Sequence, residues 1–241
     1  MFATTQAIDP RSGIAMSYPA AGHMPRLPRT VVKPSFLEPL EPRATTVRAE
    51  RNEEIVAQDD DATHCYLVVS GCVRTVRLME DGRRHVGEFL FAGDLFGCET
   101  LDTHDFAAEA VTPVTLRRYA RRDLDQLAER DRDVARRLRD LSSRRLRSGR
   151  DHMVLLGRKT ASERIASFLL EMAARIPDGK PAIELPMSRS DMGDYLGLTI
   201  ETVCRRLTQF RQDGTIEIDG AKVMICNRRA LGVAGCEQVV H

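Results

Sequence analysis

The chain has 241 residues, enough for two modest domains with a core each. Hydrophobic residues at 42% and charged residues at 29% describe a globular protein, and no apolar run approaches the roughly 18 residues of a membrane span. The net charge of +1 conceals an uneven distribution: −6 over residues 44–120 and +5 over 121–158. Such asymmetry is compatible with one module that binds nucleic acid and another that does not, but charge alone does not establish a DNA binder. The N-terminus lacks the cationic and apolar regions of an export signal, so a cytoplasmic location is expected. Six cysteines lie far apart without a CxxC pair, which favours reduced thiols over zinc.

Residues 1–43 hold seven of the eleven prolines and no sustained periodicity, which predicts an extended N-terminal arm. From 44 to 121 short apolar runs alternate with turn signals: CYLVVSG, VRTVRLMEDG, HVGEFLFAGD and AAEAVTPVTLRRY. Asp81-Gly82 is a hairpin signal, and the stretch predicts a β-roll or jelly-roll sensor-like domain.

A helical segment follows over 122–157. Leu124, Leu127, Val134, Leu138 and Leu141 fall on one heptad seam, with Asp131 and Arg145 also on it. One helix of this length would span about 50 Å, and its stripe predicts a two-stranded dimerisation seam. The competing reading is a single helix lying on its own barrel. Residues 158–241 begin with an amphipathic helix over Ser162 to Ile176, ended by Pro177-Asp178-Gly179, and a short strand over Ile183 to Met187.

The segment SRSDMGDYLGLTIETVCRRLTQFRQDGTI then reads as two helices around a tight turn. Ser188 and Asp191 match a capping box, Gly197 permits the turn, and Thr199 caps the second helix. Ile200, Val203, Leu207 and Phe210 are spaced to form a buried stripe, which leaves Glu201, Cys204 and Arg205 outward. Arginine can pair with guanine O6 and N7, and glutamate can accept from the cytosine amine. Ser188, Arg189, Thr199, Thr202 and Arg206 are candidates for the DNA backbone. Many helical hairpins look like this, but TIEIDGAKVMI adds a wing with its turn at Asp219-Gly220. The fold class is therefore α+β: a β-roll, a long helix and a C-terminal winged helix-turn-helix.

GLTIETVCRRLTQF resembles the recognition helix of the CRP/FNR superfamily, in the E-x-x-S-R form of its FNR and FixK branches. HCYLVVSGCVRTVRLMEDGRRHVGEFLFAGDLFG is similar to that superfamily's β-roll. The resemblance covers roughly residues 44 to 232. It implies a homodimeric transcription activator, not an enzyme, that binds double-stranded DNA at a TTGAT-N4-ATCAA-type palindrome and contacts RNA polymerase. Glu201 and Arg205 match base-reading positions, and Cys204 replaces the usual serine.

In the cyclic-nucleotide branch a glutamate and an arginine-serine pair hold the ligand. Here those positions read Cys98 and Phe106-Ala107, so no cyclic nucleotide is expected. No cysteine precedes Cys65, which argues against that superfamily's iron–sulfur cluster, and Cys65 and Cys72 read as buried thiols on opposite faces. His64, His85 and His104 read as surface residues, not as a clustered metal or haem site, so no cofactor and no metal are expected. What remains resembles FixK regulators of microaerobic or nitrogen-fixation programmes. The alternative is a haem- or small-molecule-gated sensor of the same fold. Cys204, in the first turns of a helix beside two arginines, is either a redox switch or a plain small residue.

Overall fold

The structure is a computed structural model and describes residues 7–8, 15–16, 34–98, 102–176 and 182–235. Two short strands, β1 (Ala7–Ile8) and β2 (Ala15–Met16), pair antiparallel. The rest of the predicted arm up to residue 33 lies outside the described residues.

The end of that arm is not extended. Ser35–Arg43 forms a 3₁₀ helix whose Leu37 and Leu40 are buried against Cys65, Leu67, Leu95, Tyr119 and Leu124. Its prolines are no obstacle, because the helix is short and docked by burial rather than by a full hydrogen-bond ladder. Glu41 completes the attachment, accepting from Arg117 at 2.9 Å and from the Tyr119 hydroxyl.

Eight strands follow: β3 (Thr45–Ala49), β4 (Glu54–Val56), β5 (His64–Ser70), β6 (Cys72–Leu78), β7 (Arg84–Phe91), β8 (Leu95–Phe96), β9 (Ala107–Ala110) and β10 (Val114–Ala120). They make two antiparallel sheets, ordered β3-β10-β5-β8 and β4-β9-β6-β7. Val68, Val73, Leu90, Phe96 and Leu116 fill the space between the sheets. Gly82, at φ 79°, makes the predicted β6–β7 turn. Cys65 and Cys72 are fully buried, and they join different apolar clusters on the two outer faces. Burial pushes the Cys72 thiol pKa well up, so it stays protonated and inert.

The long helix is interrupted. Helix α1 (Arg121–Arg130) ends at Asp131, which is extended and caps α2 (Arg132–Arg158) by accepting from the Asp133 and Val134 backbone N–H groups. Asp131 sat on the apolar seam in sequence because it is a cap, not a packing residue. The break also redirects the stripe. Leu124 and Val134 are buried in the same protomer, and Leu127, Leu138 and Leu141 pack on the cluster beneath β5 and β10. Arg145 donates to the Leu95 carbonyl. Within the protomer, this stripe lies against the β-roll, with Leu127, Leu138 and Leu141 only partly covered.

Helix α3 (Ala161–Arg175) starts with a Thr160–Glu163 capping box and buries Ile165, Phe168, Leu169 and Met172. The breaker at 177–179 lies outside the described residues, and the strand after it is β11 (Ala182–Glu184). The remaining elements are α4 (Arg189–Leu196), α5 (Ile200–Gln212), β12 (Ile216–Asp219), β13 (Lys222–Ile225) and α6 (Arg228–Gly235). Strands β11-β13-β12 form the wing sheet. The core of this winged unit is continuous with Val76, Val86, Phe89 and Phe91 on the outer face of the β6–β7 sheet. Among the described residues, no helix is long and apolar enough to cross a membrane.

Candidate nucleic-acid interface

Helices α4 and α5 meet at a turn that two glycines make possible. Gly197 caps α4 in the left-handed region at φ 62°. Gly193, which the sequence did not single out, faces the returning chain: a Cβ there would stand 2.6 Å from the Leu198 carbonyl oxygen. Arg164 of α3 holds the same corner. It donates to the carbonyls of Leu196 (2.9 Å), Lys159 (2.9 Å) and Leu156 (2.6 Å), satisfying orphan acceptors at the ends of both α4 and α2. Pattern reading missed Arg164 because its acceptors are main-chain carbonyls, which side-chain spacing does not reveal, and one of them lies 32 residues away.

Helix α5 docks by Val203, Leu207 and Phe210, all buried. Ile200 departs from the expectation: it is 37% exposed. It is the first residue of the helix, and its Cβ leans toward the N-terminus, beyond the body that buries the next turn. Glu201, Cys204, Arg205, Thr208 and Gln209 are exposed on the opposite side. Thr199 caps the helix by accepting from the Thr202 backbone N–H at 3.3 Å, and the two hydroxyls lie 3.2 Å apart. Hydrogen bonds from the Glu201 backbone and the Thr199 hydroxyl hold the Glu201 carboxyl below the usual range. It therefore presents an ionised acceptor at the helix N-terminus.

The candidate backbone contacts differ in their freedom. The Ser188 hydroxyl donates to Asp191 Oδ2 at 2.8 Å and accepts from the Asp191 N–H at 3.0 Å. Its one proton is committed to the α4 cap, so it has none to offer a phosphate, which only accepts. That removes Ser188 from the set. Arg189 has a sulfur partner, Met192 Sδ at 3.3 Å; burial lowers its pKa, while Cys204 acts in the opposite sense. Arg206 donates to the Gln209 side chain at 2.8 Å, with its Nε buried and without a partner.

The β-roll positions singled out for ligands are apolar. Ala107 and Ala108 are buried, Phe106 packs on the intersheet core, and Cys98 packs beside Leu95 and Tyr119. His104 was expected at the surface but is buried beside Phe106, because its loop is pinned by backbone hydrogen bonds to Asp59 and Asp60. His85 is half-buried, with its Nδ1 3.0 Å from the Asp194 carbonyl. Among the described residues, no three His, Cys, Asp or Glu side chains gather as a metal site.

Residues 163–233 match the Crp-like helix-turn-helix domain family, and residues 46–131 match the cyclic nucleotide-binding domain family. The nitrogen fixation regulation protein FixK of Azorhizobium caulinodans is 44% identical over 186 residues, 75% of each chain. The FixK of Rhizobium meliloti is 41% identical over 171 residues, covering 71% of this chain and 77% of that protein. The solved structure of FixK2 from Bradyrhizobium japonicum superposes with a TM-score of 0.78 at 43% identity, covering 81% of this chain and 98% of that one. With a β-roll, a long helix and an exposed recognition face in that order, the chain belongs to the CRP/FNR family of transcription regulators, in its FixK-like branch, and is not an enzyme.

Proposed function

We propose that the protein binds a TTGAT-N4-ATCAA-type palindrome as a homodimer and activates transcription by contacting RNA polymerase. One observation carries the reading: α5 offers an ionised glutamate and an unburied arginine one turn apart, on the face opposite its packed stripe. Glu201 accepts from a cytosine amine, and Arg205 forks onto guanine O6 and N7. Cys204 lies between them, while Arg189, Thr202 and Arg206 hold phosphates; the Thr199 hydroxyl, like that of Ser188, already donates within its own cap. FixK relatives are named for nitrogen fixation regulation, and a microaerobic or nitrogen-fixation programme is the setting this chain would serve.

The dimer seam lies on α2, one face round from the predicted stripe. Ser142, Leu146, Gly149 and Met153 recur at spacings of four, three and four, and Leu146 and Met153 are 58% and 71% exposed. That is a coiled-coil frame with a small residue at every second seat, suited to close approach of a second α2 about a two-fold axis. Cyclic nucleotide and an iron–sulfur cluster play no part in this reading: the nucleotide-holding positions carry Cys98, Phe106 and Ala107, and no cysteine stands before Cys65 to hold a cluster.

Arg205→Ala should cost about 1–3 kcal/mol per lost contact and relax selectivity at one base pair in each half-site. A gel-shift series with single-base variants reads this directly, and unchanged selectivity would sink the assigned register. Oxidation of Cys204 to a sulfinate would set a negative charge against DNA and abolish binding. Peroxide should inhibit the parent and spare Cys204→Ser; equal inhibition of both rules the switch out.

A further inference from the structure

Asp191 divides its two oxygens between two domains. Oδ2 closes the α4 cap, accepting from the Ser188 backbone N–H at 3.0 Å and from its hydroxyl. Oδ1 faces the β-roll, where it accepts from Arg74 Nη1 at 3.0 Å and Arg84 Nη2 at 2.8 Å. Asp194, nearly one turn on, accepts from Arg84 Nε at 3.0 Å and Nη2 at 2.8 Å. Glu109 of β9 closes the cluster from the other side, 2.8 Å from Arg74 Nε and 3.6 Å from Arg84 Nη1. Arg74 is only 6% exposed and Asp191 only 3%. Burial works against the Arg84 charge, but its bonds to Asp194 and the nearby Asp191 and Glu109 outweigh that and raise its pKa.

Five charges therefore meet where strands β6 and β7 touch the first helix of the reading head. Beside them the contact is apolar: Phe89 lies 5.4 Å from the Tyr195 ring, and Tyr195 lies 4.3 Å from His152 of α2. Apolar contact brings two surfaces together but tolerates rotation between them. Charged hydrogen bonds tolerate it less, because each guanidinium reaches two carboxylates through N–H groups held in fixed directions. Buried ion clusters contribute little net stability against an apolar replacement, and their best-attested use is to specify register.

We propose that Arg74 and Arg84 are positioning residues for DNA reading. Through Asp191 and Asp194 they fix the angle of α4 to the β-roll, and the Gly193–Gly197 turn passes that angle to α5. In a dimer this sets where both recognition helices point, and hence which half-site spacing is accepted. Two half-sites must present their grooves one helical turn, about 34–36 Å, apart. One inserted base pair moves a half-site by about 3.4 Å and rotates it by roughly 35°. A rigid head rejects that change, and a hinged one follows it. This rests on the palindrome reading proposed above.

The test uses the full chain and three variants: Arg84→Asp, Asp194→Arg and the double reversal. Affinity is measured by fluorescence polarisation on palindromes with four and five central base pairs, and amide exchange is followed in the DNA-free protein. The parent should prefer the four-base-pair spacer by about tenfold or more. Each single reversal should reduce that preference severalfold and speed exchange in α4, β6 and β7. The double reversal should restore both. Faster exchange with an intact spacer preference would mean a purely structural cluster and overturns the proposal, as does unchanged exchange in both singles. Failure of the double reversal to restore either readout overturns it too. If the parent does not bind the palindrome, the DNA assignment fails on its own, whereas a binding parent whose spacer preference is unmoved in the single reversals fails only the positioning proposal. Should a reversal not fold, Arg84→Lys keeps the charge without the fork, and an unaltered spacer preference in that variant overturns the proposal.

Discussion

Helices α4 and α5 are consecutive, three residues apart, and both carry charged side chains, but they dispose of those charges in opposite ways. In α4, Asp191 and Asp194 are spent inside the molecule on Arg74 and Arg84 of the β-roll. In α5, Glu201 and Arg205 stay exposed. One helix is held by its charges and the other offers them.

The contrast is sharpest in paired substitutions. Asp191→Ala leaves Arg74 buried without one of its partners and removes the carboxylate half of the α4 capping box, so thermal unfolding should show a loss of about 3–5 kcal/mol. Arg205→Ala should leave the melting temperature where it was and act on DNA affinity alone. Equal destabilisation by the two would erase the distinction drawn between the helices. Gly193→Ala probes the turn that joins them. Its Cβ must push the Leu198 carbonyl away, at a cost of about 1–3 kcal/mol, and DNA binding should fall further than stability because α5 is displaced.

The smallest effect concerns pH at the same junction. Burial lowers the His152 pKa, with His85 and Arg164 adding to the shift and a backbone hydrogen bond at Tyr195 opposing it. Burial lowers His64 likewise, with help from Arg118. A histidine kept neutral by the fold binds fewer protons than the unfolded chain does. Its contribution is therefore complete above the unfolded value near 6.5 and is lost as pH falls below it. Melting curves at pH 7.5 and 5.5 should separate for the parent and separate less for His152→Gln. Identical separation in both would remove His152 from the account.

Local chemistry was legible where one residue type has one use. The Ser188–Asp191 cap, the Gly197 turn, the Thr199 cap and the hairpin at Gly82 follow from steric and hydrogen-bonding rules that act within a few residues. The heptad pattern was less legible. A stripe of Leu124, Leu127, Val134, Leu138 and Leu141 states that a face is covered but does not name the cover. The break at Asp131, which periodicity treated as a flaw in the seam, let that face lie on the 3₁₀ helix and the β-roll instead. His104 was misplaced because a polar neighbourhood in sequence says nothing about a loop folded under itself.

Composition, spacing and resemblance were enough to assign the fold class, the order of the domains and the face of α5 that carries Glu201 and Arg205, because each depends on neighbours along the chain. The partners of Asp191, the corner held by Arg164 and the direction of the α1–α2 stripe depend on groups up to 117 residues apart. Burial and charge pairing act through space, and such pairs exist only once the two domains have met.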